Sequence, residues 1–295
     1  LAGFVYNFFQ NIFKKIISKK MTIKFYKYQG TGNDFVIIDQ REHQWLTRDD
    51  QQKIEKICNR RFGIGADGLM LLQKMPNTGG GAFYDFEMIY FNADGRESSM
   101  CGNGGRCLAA FAHSQKVFEK KCRFWAIDGE HEAQMIGKNW VELKMIDVQN
   151  AQSDSQDGFL MNTGSPHYVI FSEDISDLNI FELGREVRYS NRFRKEGINV
   201  NFVEICGENE IEVATYERGV EAETLSCGTG VTAAAIALFL KKSPENDLQN
   251  IKIKTKGGNL AVKFEVEREG NDAPKFKNIW LCGPAECVFE GKIKI

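Results

Sequence analysis

Residues 100–107 read MCGNGGRC, and residues 226–233 read SCGTGVTA. Each is a Cys-Gly-x-Gly unit that leads into an alanine-rich stretch. A cysteine at the start of a helix sits beside first-turn amides that lack intrahelical partners. Their dipole favours negative charge, so the position predicts a thiol pKa drawn below its usual value of about 8.5. The glycines remove side chains and let a ligand reach the amides, which form a natural carboxylate cradle. Cys101 and Cys227 are therefore two ionisable thiols, each beside an anion site. If they face one ligand from opposite sides, they suit the inversion of a carbon that bears hydrogen. One thiolate removes a proton from one face and the opposed thiol supplies another to the other face. Helix-terminal amides aimed at an adjacent carboxylate would stabilise the charge that develops in the transition state.

Opposed thiols require two similar scaffolds, and the sequence repeats accordingly. QGTGNDFVIID (29–39) resembles NTGSPHYVIF (162–171), and IYFNADGRESSMCGNG (89–104) resembles ATYERGVEAETLSCGTG (214–230). The spacing from Asn33 to Cys101 is similar to that from Ser165 to Cys227. A period this long is not a solenoid; it predicts duplicated units related by a pseudo-two-fold axis. Short β-branched and aromatic runs make most of the chain strand. AIDGEHEA and IKIKTKGGNLAVKFEVE read as hairpins turning at Asp128-Gly129 and Gly257-Gly258. Helices are fewer: one capped by Thr47 and stopping at Gly63, one within 177–188, and one after each Cys-Gly-x-Gly unit. The last, VTAAAIALFLKK, is apolar on nearly all sides, as a helix enclosed by sheet would be.

The chain has 295 residues and a net charge of −2. It shows no basic stripe of the kind that binds nucleic acid. Its eight cysteines contain no CxxC pair and no common zinc spacing, and free cysteines in a chain of this size point to a reducing cytosol. Cys58, Cys107, Cys122, Cys206, Cys282 and Cys287 read as small buried hydrophobes. His167 takes the repeat position of Phe35, and a polar residue there hints at a site. RRFGIGADG (60–68) lacks the spacing of a phosphate loop and reads as a structural turn. Residues 1–20 are apolar and then basic, the wrong order for a signal peptide and too interrupted to span a bilayer. They read as an upstream extension outside the fold, with Met21 the working start, or else as an interfacial helix.

These motifs together, with GTGNDFVIID, GSPH, INVNF and YERGVEAETLSCGTG, resemble the diaminopimelate epimerase family from Met21 to the C-terminus. The resemblance implies an α/β (α+β) fold of two pseudo-symmetric domains. Each is a sheet wrapped around a central helix, with the active site in the cleft between them. Residues 21–145 would form the first domain, joined by a returning C-terminal strand at 284–295, and 146–283 the second. The implied activity is cofactor-independent interconversion of LL- and meso-2,6-diaminopimelate, a precursor of lysine and of bacterial cell-wall crosslinks, by a cytoplasmic homodimer without metal. Carried over residue by residue, Cys101 donates and Cys227 accepts the proton in the LL-to-meso direction. Gly102, Asn103, Gly228 and Thr229 hold the reacting end. Asn33, Asn92, Ser165, Asn199, Glu217 and Arg218 line the substrate pocket, Arg218 taking the distal carboxylate with its planar fork, while His167 and Glu217 tune the thiols. Ser165 stands where many members have Asn, and Gly68 where some have Gln. A proline or hydroxyproline racemase of the same fold and a thiol-based redox or binding protein are the competing readings, and a cysteine hydrolase is a weaker one. Arg218 and the asparagine set argue against a substrate with one carboxylate, and activity on diaminopimelate under reducing conditions would exclude the redox reading.

Overall fold

Alternating burial along the strands and continuous burial along two helices divide the chain into two matching series. The structure is a computed structural model that describes residues 22–75, 83–154, 158–268, 270 and 273–295. The predicted N-terminal extension lies outside the described residues. The first series is β1 (Thr22–Gly30), β2 (Asn33–Asp39), α1 (Gln51–Cys58), β3 (Gly68–Gln73), β4 (Phe86–Asn92), α2 (Gly102–Ser114), β5 (Lys121–Ala126), β6 (Gly129–Met135) and β7 (Trp140–Lys144). After the short β8 (Gln152–Ser153) the order recurs: β9 (Gly158–Asn162), β10 (Pro166–Ser172), α3 (Ile180–Tyr189), β11 (Asn199–Ile205), β12 (Glu210–Glu217), β13 (Ala222–Thr224), α4 (Gly228–Lys242), β14 (Leu248–Thr255), β15 (Gly258–Glu267) and β16 (Lys275–Pro284). The chain ends in β17 (Glu286–Lys294).

The pairing repeats as well as the order. β1–β2 and β9–β10 are antiparallel, β2–β3 and β10–β11 parallel, and β3–β4 and β11–β12 antiparallel. β4–β5 and β12–β14 are parallel, and antiparallel β5–β6–β7 and β14–β15–β16 complete each series. Two pairings join the halves: β16 lies antiparallel to β7, and β17 lies antiparallel to β1. The last strand therefore hydrogen-bonds to the first.

The strands of each half surround its long helix, so that helix is buried on every side. In α4 every residue from Val231 to Phe239 is buried, and α2 is buried from Asn103 to Ala112. Phe239, Phe264 and Phe276 pack edge to face around α4, with ring centroids 5.6–6.1 Å apart. Alanine predominates in α4 because a small side chain lets the enclosing strands approach.

Some local expectations shift. α1 starts after Asp50, whose carboxylate accepts from the Thr47 amide and hydroxyl at 2.9 and 3.1 Å, and it ends at Cys58 instead of Gly63. Thr47 thus braces the turn before the helix. Both predicted hairpins form, but each turn sits one residue earlier, at Ile127-Asp128 and Lys256-Gly257, and glycine opens the return strand. Cys206 and Cys287 are exposed, not buried: Cys206 follows β11 into its turn, and Cys287 lies on the strand added at the end of the chain.

Candidate active site

The sequence requires a helix start at each cysteine, and the structure has one. Cys101 is the N-cap of α2 and Cys227 the N-cap of α4. The two N-termini abut. A Cβ on Gly228 would lie 3.4 Å from the Gly102 Cα, and one on Gly102 would lie 3.6 Å from the Gly228 Cα; either would meet the Leu281 side chain at 2.8 Å. A side chain at either position would have to displace Leu281, and the close meeting of the two glycines brings the first-turn amides of both halves to one place. The backbone N–H groups of Gly102, Asn103, Gly228 and Thr229 fall among those that have no partner within a helix.

Both cysteines are half-buried, and two surface cavities of about 430 and 850 Å³ are lined by neither. The larger runs past Pro166, Glu196, Gly197 and Arg218. Enclosure reverses the expected thiol chemistry. Burial raises the Cys101 pKa, against partial relief from the Gly104 amide, which donates to Sγ at 3.2 Å. Burial and then the Glu217 carboxylate push Cys227 up to about 12. The prediction of thiols acidified by the helix ends is corrected: desolvation of a thiolate outweighs the hydrogen bonds from the first-turn amides that would lower its pKa. Burial raises Glu217 as well.

The surroundings of the two thiols differ although their scaffolds match. Pairing registers equate Phe35 with His167, Gly68 with Asn199, Met70 with Asn201 and Tyr90 with Thr215. Around Cys101 the set is largely apolar; a Cβ on Gly104 would touch Met70, Cys101 and Phe35 at 3.4–3.5 Å. Around Cys227 it is a hydrogen-bonded chain. The Thr215 hydroxyl donates to Asn201 Oδ1 at 3.0 Å, and Asn201 Nδ2 lies 3.0 Å from His167 Nδ1. Asn201 Nδ2 also donates to the Tyr168 carbonyl at 3.3 Å, which fixes the amide orientation, because a carbonyl only accepts. His167 Nδ1 is then the acceptor, and Nε2 carries the proton toward Thr229 Oγ1 at 2.9 Å. Thr229 Oγ1 lies 3.4 Å from Cys227 Sγ, so its own hydrogen is free for the sulfur. Burial lowers the His167 pKa to about 3, so this imidazole is neutral near pH 7.

The remaining predicted residues fall into two groups around the helix ends. Asn103 Nδ2 donates to Asn33 Oδ1 at 2.6 Å and to the Ser226 carbonyl across the halves at 3.2 Å. Asn33 Nδ2 donates to Asp67 at 3.0 Å. That aspartate is the penultimate residue of the RRFGIGADG turn, and the turn's Arg60 bridges Asp34 and Asp67 at 2.6 Å each. Burial would raise Asp34, but Arg60 and Lys27 hold it well below the usual carboxylate range. In the second group Asn199 Nδ2 donates to Ser165 Oγ at 2.8 Å, and the Arg218 amide donates to Asn199 Oδ1 at 2.8 Å. Asn92, at the end of β4, is exposed, and no side-chain bond ties it to these groups. Gly68 has no room for a side chain, since a Cβ would meet the Phe91 carbonyl at 2.5 Å and the Tyr90 ring at 2.6 Å.

Sequence reasoning missed Asn201, Thr215 and Asp67. Asn201 was legible in INVNF, because residues two apart on a strand share a face; a second asparagine beside Asn199 on a core-facing strand was the signal. Among the described residues no group of three or more His, Cys, Asp or Glu side chains is placed to hold a metal ion, and no helix is long and apolar enough to cross a membrane.

The family model described as diaminopimelate epimerase matches residues 25–149 and 159–277. A diaminopimelate epimerase of Flavobacterium psychrophilum is 46% identical over 271 residues, covering 92% of this chain and all of the relative. That of Aquifex aeolicus is 36% identical over 291 residues, covering 92% and 98%. Among solved structures, a PhzF-family phenazine biosynthesis protein of Bacillus anthracis superposes with a TM-score of 0.67 at 14% identity, covering 93% of this chain and all of that one. A hydroxyproline epimerase of Agrobacterium vitis superposes at 0.65 and 12% identity, covering 94% of each. At those identities the likeness is one of fold.

Proposed function

Because the chain belongs to the diaminopimelate epimerase family, we propose that it inverts one α-carbon of LL-2,6-diaminopimelate to give the meso form, with two opposed cysteines as the bases. The observation that carries this reading is the abutment of two helix N-termini, each capped by a cysteine and contributed by a different half. In the LL-to-meso direction Cys227, as thiolate, takes the α-proton and Cys101, as thiol, delivers one to the opposite face; the reverse reaction exchanges their roles. The α-proton beside a carboxylate is weakly acidic. Amides of Gly102, Asn103, Gly228 and Thr229 aimed at that carboxylate would stabilise the charge that accumulates on it as the proton leaves.

Burial makes a thiolate costly at either position, so the anion depends on the hydrogen-bond donors and charges placed around each sulfur. The chain from Thr215 to Thr229 presents a hydroxyl hydrogen to Cys227 without adding charge, which favours its anionic form. Arg218 is the fork for the distal carboxylate, Glu217 is an acceptor for an ammonium group, and Asn33, Asn92, Ser165 and Asn199 complete the lining. The reading places the enzyme in the supply of lysine and of cell-wall crosslinks, as a cytoplasmic homodimer. Sedimentation of the purified chain tests the dimer.

The mechanism is tested with LL-diaminopimelate in deuterium oxide, sampled early. The meso product should carry deuterium at the inverted carbon while unreacted LL substrate keeps its hydrogen, because the two bases hold different protons. Cys101→Ala and Cys227→Ala should each abolish epimerisation. Early product that keeps its original hydrogen, or rapid turnover by either variant, would overturn the assignment.

A further inference from the structure

Arg106 lies one turn beyond Asn103 in α2 and is fully buried. Its Nη2 donates to Thr31 Oγ1 and to Asn103 Oδ1, both at 3.0 Å. Its Nε and Nη1 have no hydrogen-bond partner among the described residues. The backbone of β16 presses on the guanidinium: a Cβ on Gly283 would lie 3.2 Å from Nε. The equivalent position of α4, five residues beyond its cysteine, is Thr232, whose hydroxyl only bonds back to the Gly228 carbonyl. One half therefore carries a buried cation that the other lacks.

A guanidinium stays protonated in proteins, and a buried charge without a partner is costly. Among the described residues no carboxylate forms an ion pair with Arg106, and the ionisable groups that act on it are three thiols, Cys107 first, then Cys101 and Cys282. Cys107 and Cys282 are wholly buried core residues. Glu142 and Lys263 act on Cys282, and Glu217 acts on Cys101 with the opposite sign to Arg106. Cys101 is the only one of the three at the helix end, where a ligand can reach it. Both cysteines of the pair have helix-end amides, so the dipoles do not distinguish them. The relay through His167 serves Cys227, and nothing like it serves Cys101, whose neighbours Phe35 and Met70 are apolar.

We propose that Arg106 is a positioning residue that supplies the counter-charge for the anionic form of Cys101 and, through Asn103, holds the first-half cradle in register with Asn33. The two thiols are thus stabilised as anions by different means: Cys227 by a neutral hydroxyl chain, Cys101 by a buried cation. This rests on the two-cysteine reading, and the test separates the two. In a scheme that runs in both directions each sulfur must in turn be the base, and Arg106 answers for the direction in which Cys101 is the thiolate.

The test is alkylation of the chain by iodoacetamide across pH, read at each cysteine by peptide mass spectrometry, for the natural sequence and Arg106→Met. Alkylation reports the thiolate fraction whether or not the enzyme turns over. Arg106→Met should slow alkylation of Cys101 at pH 8 by roughly tenfold or more and raise its midpoint by about one unit or more, the size of a nearby charge. Cys227 in the same digest should change by less than about threefold. A Cys101 that alkylates in Arg106→Met at the natural rate and midpoint overturns the proposal. If Arg106→Met does not fold, Arg106→Gln takes its place, and failure of both to fold also overturns it, since the cation would then be structural. Retained epimerase activity in Cys101→Ala would instead sink the two-cysteine reading, whatever Arg106 does.

Discussion

Arg218 stands at the end of β12 with its amide on Asn199 and its guanidinium on the Glu196 carbonyl at 3.1 Å. The side chain is exposed, so its fork remains available to a carboxylate. Arg218→Lys should raise KM for diaminopimelate about tenfold or more with a small change in kcat, because a lysine cannot make the bidentate contact. Steady-state kinetics check this, and an unchanged KM would place the distal carboxylate elsewhere. His167 supports a prediction about pH and stability. Burial depresses its pKa to about 3 in the folded chain, against about 6.5 when unfolded. As pH falls below about 6.5 the unfolded chain takes up the proton first. This contribution to stability is therefore complete above about 6.5 and is lost as pH drops toward 3, by about 1.4 kcal/mol per unit. Urea unfolding at pH 7 and pH 4.5 should show a steeper loss for the natural chain than for His167→Gln. Equal slopes would mean that the imidazole is not held neutral.

At the scale of elements, the site depends on how closely α2 and α4 meet. Gly228→Ala would improve helix propensity by about 1 kcal/mol in an open helix. Here the added methyl meets Leu281 at 2.8 Å and the Gly102 Cα at 3.4 Å. We expect net destabilisation of about 1–3 kcal/mol, together with a loss of kcat greater than the change in KM, because the displaced helix end carries Cys227. Leu281→Val in the same chain should recover part of both by freeing space. Chemical denaturation and kinetics of the single and double variants measure this, and a Gly228→Ala chain as stable and active as the natural one would show that the contact relaxes freely. The predicted enclosure of α4 followed directly from its composition. The shorter α1 did not: Asp50 competes with Thr47 for the start of the helix, and only the observed bonds decide between adjacent candidates.

For the whole molecule, the halves are joined by β7–β16 and by β17–β1. β17 runs almost the whole length of β1, and Phe289 packs edge to face on Phe25 at 5.9 Å. Deleting residues 286–295 leaves the β1 edge unpaired, which invites association. The truncated chain should melt at least about 5 °C lower and aggregate on heating, with activity lost in parallel. Calorimetry and light scattering test this. A truncated chain that melts like the complete one would show that β17 merely decorates the first half.

The sequence by itself determined the duplication, the two cysteines, the helix after each and the residues that resemble a diaminopimelate epimerase, because these rest on local chemistry and on spacing along the chain. Residue types also marked His167 as a polar substitute for Phe35. The tertiary structure alone decided the electrostatics. A helix start predicts an acidic thiol, but whether burial outweighs the dipole depends on what the folded chain packs around the sulfur, and that is supplied by strands far away in sequence. The same is true of the Thr215–Asn201–His167–Thr229 chain, whose members come from three strands and a helix, and of Arg106. Its sequence position one turn past Asn103 gives no sign that Thr31 and the β16 backbone close over it. Spacing along the chain names the groups that can react; the desolvation and the hydrogen bonds that set their charge arise only when distant segments meet.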